Sequence, residues 1–494
     1  MPEHLRALVV ILALSVTSFV LFRQPACALA IGEADYARRR NLWLALTLIA
    51  FLAHNFWFYI LLAGVLLYLV AQREPNRAAL YLFVLLALPQ VSAMIPGFGG
   101  INQFFEIDFL RLLALTVLLP AAYALRLDEM KRGEKLGVTD KILLGYLLLN
   151  IMLQFMAVSL TATMRVVFQT MIDTWLPYYV LSRGVRETLR LRDATMSYIV
   201  GALVISVMSM FEFVRRWLLY SSLDHALGVS WAYGGYLARE EALRASVTTG
   251  QPIVLGYVVA VAFGLFLYAR TLIRQRILVV AGFALLVGGL IAALSRGPWV
   301  GAATMLVVYL LSSRQAMPNM AKLLLGAVML LPVLYMTPYW EKLINYLPFV
   351  GEIDAGNVTY RQLLFDISIQ IILENPLFGS SDFIYYMEEL RQGQGIIDIV
   401  NSYLPIALRS GFVGLLLFLG FFGIIMTGIV KRVRRCPADS EEQQLGRALL
   451  ATLVGILVTI ATVSSINAIP VVYWALAGMG WAYARMPDTM SAKS

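Results

Sequence analysis

Long uncharged apolar runs recur along this chain from Leu5 to about Ala484, and the arginines and lysines collect in the short segments between them. In hydrocarbon every backbone N–H and C=O must bond inside the protein, so each run of about 20 residues predicts a membrane-crossing helix. On that measure spans are expected near 5–22, 42–71, 78–95, 109–126, 141–158, 166–182, 194–214, 252–269, 277–294, 299–312, 321–337, 411–430, 448–465 and 470–486. Allowing for ambiguous ends, the chain should cross a bilayer about 12 to 14 times. Only 14% of the residues are charged and 60% are hydrophobic, too few polar groups to cover a soluble globule, where about a quarter are charged. The predicted fold class is an all-α polytopic membrane protein with a long loop containing amphipathic helices.

A net charge of +9 would suggest nucleic acid in a soluble protein. Here the basic residues sit in alternate loops, around Arg73, Lys131, Arg183 to Arg192, Arg270 to Arg276, Arg314 and Lys431 to Arg435, which is how topology is fixed with positive charge inside. Nucleic acid is therefore not an expected partner. Arg38-Arg39-Arg40 fits this alternation only if 42–71 is a hairpin broken at His54-Asn55. The run Leu5 to Phe22 before Ala26-Cys27-Ala28 is similar to a signal peptide, but is nearly long enough to span and is expected to stay as a first helix. Cys27 and Cys436 are expected on opposite sides of the membrane, and His4, His54 and His225 are scattered, so neither a disulfide nor a metal centre is predicted. No cofactor is implied.

The alternation leaves four intervals on the outer side: Pro96 to Asp108, Arg215 to Gln251, Ser295 to Pro298, and Pro338 to Tyr403. Four segments follow: an N-terminal transmembrane bundle (1–240), transmembrane segments carrying outer-side arginines (241–337), a long loop (338–403), and C-terminal helices with a tail (404–494). Within the loop, Asn357 or Thr359 can cap an amphipathic helix through Leu363, Leu364, Ile367 and Ile371 that Asn375-Pro376 ends and that lies against the membrane surface or the bundle. A second helix is expected near Asp382 to Arg391, with Gly393 and Gly395 loosening the return to the membrane.

Three arginines stand in these intervals. Arg296, in Ser295-Arg296-Gly297-Pro298-Trp299, gains nothing from charge sorting on the outer side; its guanidinium can hold a phosphate through two bonds or snorkel to headgroups. Arg244, shortly before the span that starts at Pro252, has the same two uses. Arg361 falls in the loop helix, where a solvated role is the commoner one. Asp398 is placed to be a general base, or else to cap the next helix. Glu212, at the end of a span, has Arg215 and Arg216 within reach as ion-pair partners, and His225 is a loop histidine.

Taken in order, these motifs resemble the O-antigen ligase and polysaccharide polymerase superfamily. The likeness rests on Arg244 to Pro252, Ser295-Arg296-Gly297, Arg361 followed by Asn375-Pro376-Leu377-Phe378-Gly379, and Asp398 to Leu404 followed by Arg409-Ser410-Gly411-Phe412-Val413-Gly414-Leu415, over about residues 240–430. It implies a fold similar to the GT-C membrane glycosyltransferases and a metal-independent transfer of sugar chains from undecaprenyl diphosphate at the periplasmic face of the bacterial inner membrane. By that likeness Arg244 and Arg296 hold the donor diphosphate, Arg361 orients donor or acceptor, and Asn401 and Tyr403 contact substrate. The implied partners are an undecaprenyl-diphosphate-linked oligosaccharide and membrane lipids, with chain-length regulator and export proteins as further candidates. Ligases of this kind carry His-Asn at the loop's end. Here Val400 precedes Asn401, and valine cannot accept a proton. That favours a polymerase with Asp398 as substitute base over a ligase acting on lipid A core or protein. A transporter or flippase is the remaining alternative, for which Arg111, Asp173 and Glu212 are the main intramembrane ionisable residues.

Overall fold

The computed structural model describes residues 1–97, 102–157, 159–229, 238–239, 242–336, 355–391, 395 and 397–487. Glu240, Glu241, Gly393 and the loop's first part with Glu352 and Asp354 lie outside the described residues. The protein is an all-α polytopic membrane protein. Eight of the described helices are long and apolar enough to cross a bilayer: Glu3–Leu29, Phe109–Lys131, Val138–Met156, Thr188–Arg215, Pro252–Leu272, Arg276–Ala293, Tyr403–Arg435 and Glu441–Ile460. Phe56–Gln72, Arg296–Leu311 and Ala468–Ala484 are shorter apolar helices.

The run 42–71 is two helices, Glu33–Leu52 and Phe56–Gln72. His54 takes a left-handed φ of 50°, and the Asn55 side chain accepts the N–H groups of Trp57 and Phe58 at 2.9 and 3.0 Å, satisfying donors that a new helix leaves open. This break returns the arginine triplet to the basic end of the bundle. There Arg39, fully buried, donates to Glu74 at 2.6 Å and to Asp193 at 2.6 Å. Arg183 with Asp140 at 2.7 Å, Arg192 with Glu441 at 3.1 Å and Arg432 with Glu442 at 3.1 Å complete a belt of ion pairs at that end.

The hairpin's extra crossing also decides the first helix. Glu3–Leu29 starts at the end opposite the arginine belt, where His4 meets His54 edge-on at 5.6 Å and Arg6 lies over the Trp217 ring at 5.1 Å. It therefore ends near the arginine belt, and Cys27, within electrostatic reach of Arg23 and Glu33, shares the basic end with Cys436 beside Glu442. The expectation of cysteines on opposite sides is corrected by that one helix; both thiols are free.

The run 78–95 is not one continuous span. Arg77–Val84 is helical, the chain then turns through buried Leu85 to Leu88, and Ala93–Pro96 pairs antiparallel with Gln103–Ile107. Non-helical backbone at such a position is tolerated because protein, not lipid, surrounds it. The centre of the bundle is Pro252–Leu272, which is almost entirely buried and packs on Thr188–Arg215, Arg276–Ala293, Arg296–Leu311 and Glu441–Ile460. Among helices in lipid, packing contact rather than water exclusion holds such neighbours together, and small residues let them approach; a side chain at Gly301 would collide with Thr459 across the Arg296–Leu311 and Glu441–Ile460 pair.

The long loop has its own small core. The loop helix, Ala355–Glu374, and the 3-10 turn Phe383–Leu390 bury Leu364, Ile371, Ile372, Phe383, Met387 and Leu390 against Leu404, Ala407 and Leu408 of the helix Tyr403–Arg435. Leu363, expected on the buried face, is 40% exposed.

Candidate functional site

Four segments meet at the end opposite the arginine belt. The first carries Arg244. Its neighbour Ala245 donates its N–H to Ala292 at 2.9 Å, and the Arg244 Nε donates to the Ala293 carbonyl at 3.4 Å, so this segment lies along the last turn of Arg276–Ala293. Leu294 then adopts a left-handed φ of 43°, and the chain turns into the second segment, where Arg296 opens its helix. Arg244 and Arg296 thus flank one helix end.

Glu212 supports the first segment. Its carboxylate is completely buried and accepts the N–H groups of Leu219 at 2.8 Å, Ser246 at 3.0 Å and Val247 at 3.0 Å. The expected pairing with Arg215 or Arg216 is corrected: the helix ends at Arg215, and the turn after it brings backbone donors to the carboxylate instead. These three bonds satisfy backbone donors that would otherwise be buried unpaired. They also hold Val247 at φ 46°, a conformation that a β-branched residue rarely adopts unaided. Two further bonds tie this turn down, from the Thr248 hydroxyl to the Leu86 carbonyl at 2.8 Å and from the Asn467 amide to the Thr249 carbonyl at 3.2 Å.

The third and fourth segments are the end of the long loop and the turn before Ala468–Ala484. Tyr360 grips the backbone of Asp398 from both sides, its hydroxyl accepting the Asp398 N–H and donating to the Asp398 carbonyl, each at 3.1 Å. The Asp398 carboxylate accepts the Ser464 hydroxyl at 2.6 Å. It does not cap the next helix, whose N-cap residue is Ser402; just before it the Asn401 Oδ1 accepts the Tyr403 N–H at 2.9 Å. Ser402 donates its N–H to Ile460 at 2.8 Å and its hydroxyl to the Val463 carbonyl at 2.9 Å, and the Tyr403 hydroxyl donates to Leu457 at 2.8 Å. Asn401 and Tyr403 therefore spend these atoms on fastening the loop.

Arg361 stands one residue beyond Tyr360. Among the described residues its guanidinium has no hydrogen-bond partner. Burial holds the group below its ordinary pKa, the Asp398 charge opposes that, and the Arg296 charge lowers it further. The fold has thus brought together Arg296, Arg361 and Asp398, which are 65 and 37 residues apart along the chain, and ties Arg244 to the same helix end. Two guanidinium groups within electrostatic reach of each other, with one carboxylate in reach of Arg361, favour an anion with several oxygens. His225 lies in the short helix Leu223–Leu227, with its N–H bonded to its neighbour Asp224. Arg111 pairs with Asp173 at 3.0 Å.

Two glycines determine where the loop helix sits. Gly379 has φ 68° and Gly411 has φ 62°. A Cβ on Gly379 would overlap the Leu408 carbonyl, and one on Gly411 the Leu377 carbonyl. This approach lets Phe412 and Val413 donate to the Pro376 and Leu377 carbonyls at 2.7 and 3.2 Å, and Ser380 to Leu408 at 2.8 Å. Gly411 breaks the helix Tyr403–Arg435 at this point, and the freed backbone groups bond the chain that follows the loop helix. Asn375 to Gly379 and Arg409 to Gly414, separate motifs in the sequence, form one backbone clasp.

A family model described as O-antigen ligase matches residues 281–419. The matched segment includes Arg296, Arg361, Asp398 and both halves of the clasp, and begins after Arg244. No curated protein matches the chain.

Proposed function

With residues 281–419 belonging to the O-antigen ligase family, and the chain thereby to the O-antigen ligase and polymerase superfamily, we propose that it is a polysaccharide polymerase. It would transfer a growing glycan from undecaprenyl diphosphate to a lipid-linked repeat unit at the periplasmic face of the inner membrane. The observation that carries this is that Arg361 lies within electrostatic reach of both Arg296 and Asp398. An acceptor hydroxyl attacks the anomeric carbon, the bond from that carbon to the diphosphate oxygen breaks, and the lipid diphosphate leaves with the electron pair. Arg244, Arg296 and Arg361 neutralise the charge that develops on it, so the transfer is proposed to run without a metal ion. Asp398, held by Ser464 and by the Tyr360 grip on its backbone, takes the acceptor proton.

The family description favours a second reading, ligation of a finished glycan to lipid A core or protein. Val400 in place of histidine argues against it. The lipid-linked glycans of cells lacking the protein separate the two: single repeat units accumulate if it polymerises, and completed polymer on lipid accumulates if it ligates. An unchanged profile removes both readings and leaves transport.

A further inference from the structure

The loop helix has three faces where a surface helix needs two. One face packs into the small core through Leu364, Ser368, Ile371 and Ile372. A second exposes Gln362, Asp366, Gln370 and Glu374, a polar row at i, i+4 spacing. Between them runs a third row at the same spacing, Arg361, Phe365, Ile369 and Leu373, and it too is exposed: Phe365 to 52% and Leu373 to 65%. The row begins at the cation beside Arg296 and continues for about 18 Å, at 1.5 Å per residue, as hydrocarbon.

The row does not stop where the helix does. Beyond Asn375-Pro376 the next apolar residue, Leu377, is 60% exposed, and the backbone clasp sets it against Phe412 on the kinked helix. From Phe412 the exposed apolar surface passes one turn on to Leu416, on a helix long and apolar enough to span the bilayer. Exposed apolar residues thus follow one another from the arginine pair, along the loop helix and through Leu377 and Phe412, to the flank of a membrane-spanning helix.

We propose that this trail is the seat of the donor's lipid tail: the polyprenyl diphosphate lies with its diphosphate between Arg361 and Arg296 and its isoprenoid chain along Phe365, Ile369, Leu373 and Leu377, entering the bilayer past Phe412. The inference rests on the polymerase or ligase reading above, because it takes its occupant from that reaction. The charge pattern selects an anionic amphiphile. A cationic head site followed by a long apolar row fits a molecule with an anionic head and a hydrocarbon tail, and burying the tail's isoprene units against four apolar side chains adds affinity that a soluble sugar diphosphate lacks. Such a seat also fixes the anomeric carbon relative to Asp398, since a lipid held at both head and tail loses the freedom to swing.

The test uses the full chain in phospholipid nanodiscs and a polyprenyl diphosphate with a diazirine on its tail, with labelled residues mapped by mass spectrometry. We expect saturable labelling of Phe365, Ile369 or Leu373, removed by excess unlabelled polyprenyl diphosphate and about tenfold or more weaker in Arg361→Ala. Arg361 is only partly buried and makes no hydrogen bond among the described residues, so that variant should fold, which its thermal unfolding checks. A diazirine phosphatidylcholine should not label the row in a competable way. Competable labelling confined to other helices overturns the trail but leaves the donor class standing. Labelling of the row by phosphatidylcholine and the diphosphate probe alike, without competition, reduces it to a bulk lipid surface. Absence of any saturable labelling removes the lipid-diphosphate donor itself, and the trail with it.

Discussion

The Glu212 carboxylate, buried inside the bundle, accepts the N–H of Val247 at 3.0 Å and thereby holds that residue at a left-handed φ of 46° three positions beyond Arg244. An acidic side chain at the end of one span in this way fixes the shape of a neighbouring segment. Arg244 owes its place along the end of Arg276–Ala293 to that constraint.

Glu212→Ala should lower thermal stability and loosen the segment 242–250, because each buried N–H left without an acceptor costs about 1 to 3 kcal/mol. Limited proteolysis and thermal unfolding in detergent measure both effects. Arg215→Ala and Arg216→Ala should change neither; a loss of stability in those variants matching that of Glu212→Ala would restore the ion-pair explanation.

Gly411→Ala should abolish transfer while leaving the bundle folded. The φ of 62° with ψ of −165° lies in a region that only glycine occupies at low cost, about 1 to 3 kcal/mol for other residues, and the new Cβ would meet the Leu377 backbone. Polymer formation in cells, set beside the yield of folded protein on size exclusion, reads the two effects separately. Gly420→Ala, where a Cβ meets nothing within 4 Å, is the control and should be silent.

Arg296→Lys and Arg361→Lys should each reduce turnover by about 10- to 100-fold, since an ammonium keeps the charge but loses the planar pair of donors that fits a diphosphate oxygen pair. Loss should appear with the lipid-diphosphate donor in a reconstituted assay. Wild-type turnover in both lysine variants would show that charge alone is needed at these positions.

Asp398→Asn should remove turnover with little effect on donor binding, as expected for a group that accepts a proton only as the reaction proceeds. Ser464→Ala should have a smaller effect on kcat, because it removes one hydrogen bond to the carboxylate and leaves the Tyr360 grip on the backbone intact. If Asp398→Asn weakens donor binding and spares kcat, the residue positions the loop and the base lies elsewhere.

Some of this was determined by the sequence alone. Apolar runs of spanning length, the basic segments between them and the Asn55 cap are properties of a few consecutive residues, so the all-α membrane fold and the hairpin break at His54-Asn55 could be read directly. The motifs around Arg296, Arg361 and Asp398 were equally visible as local strings. The buried turn after Val84 was not, because its apolar residues read as span and only surrounding protein makes a non-helical path tolerable there. Nor was the course of the first helix, which depended on counting crossings correctly. Tertiary structure alone decided that Tyr360 grips Asp398, that Glu212 serves Ser246 and Val247, and that Gly379 and Gly411 close on each other. The partners in these pairs stand between 32 and 38 residues apart, and each contact forms only after helix packing has brought the two groups together, a hydrogen bond existing only within about 3 Å.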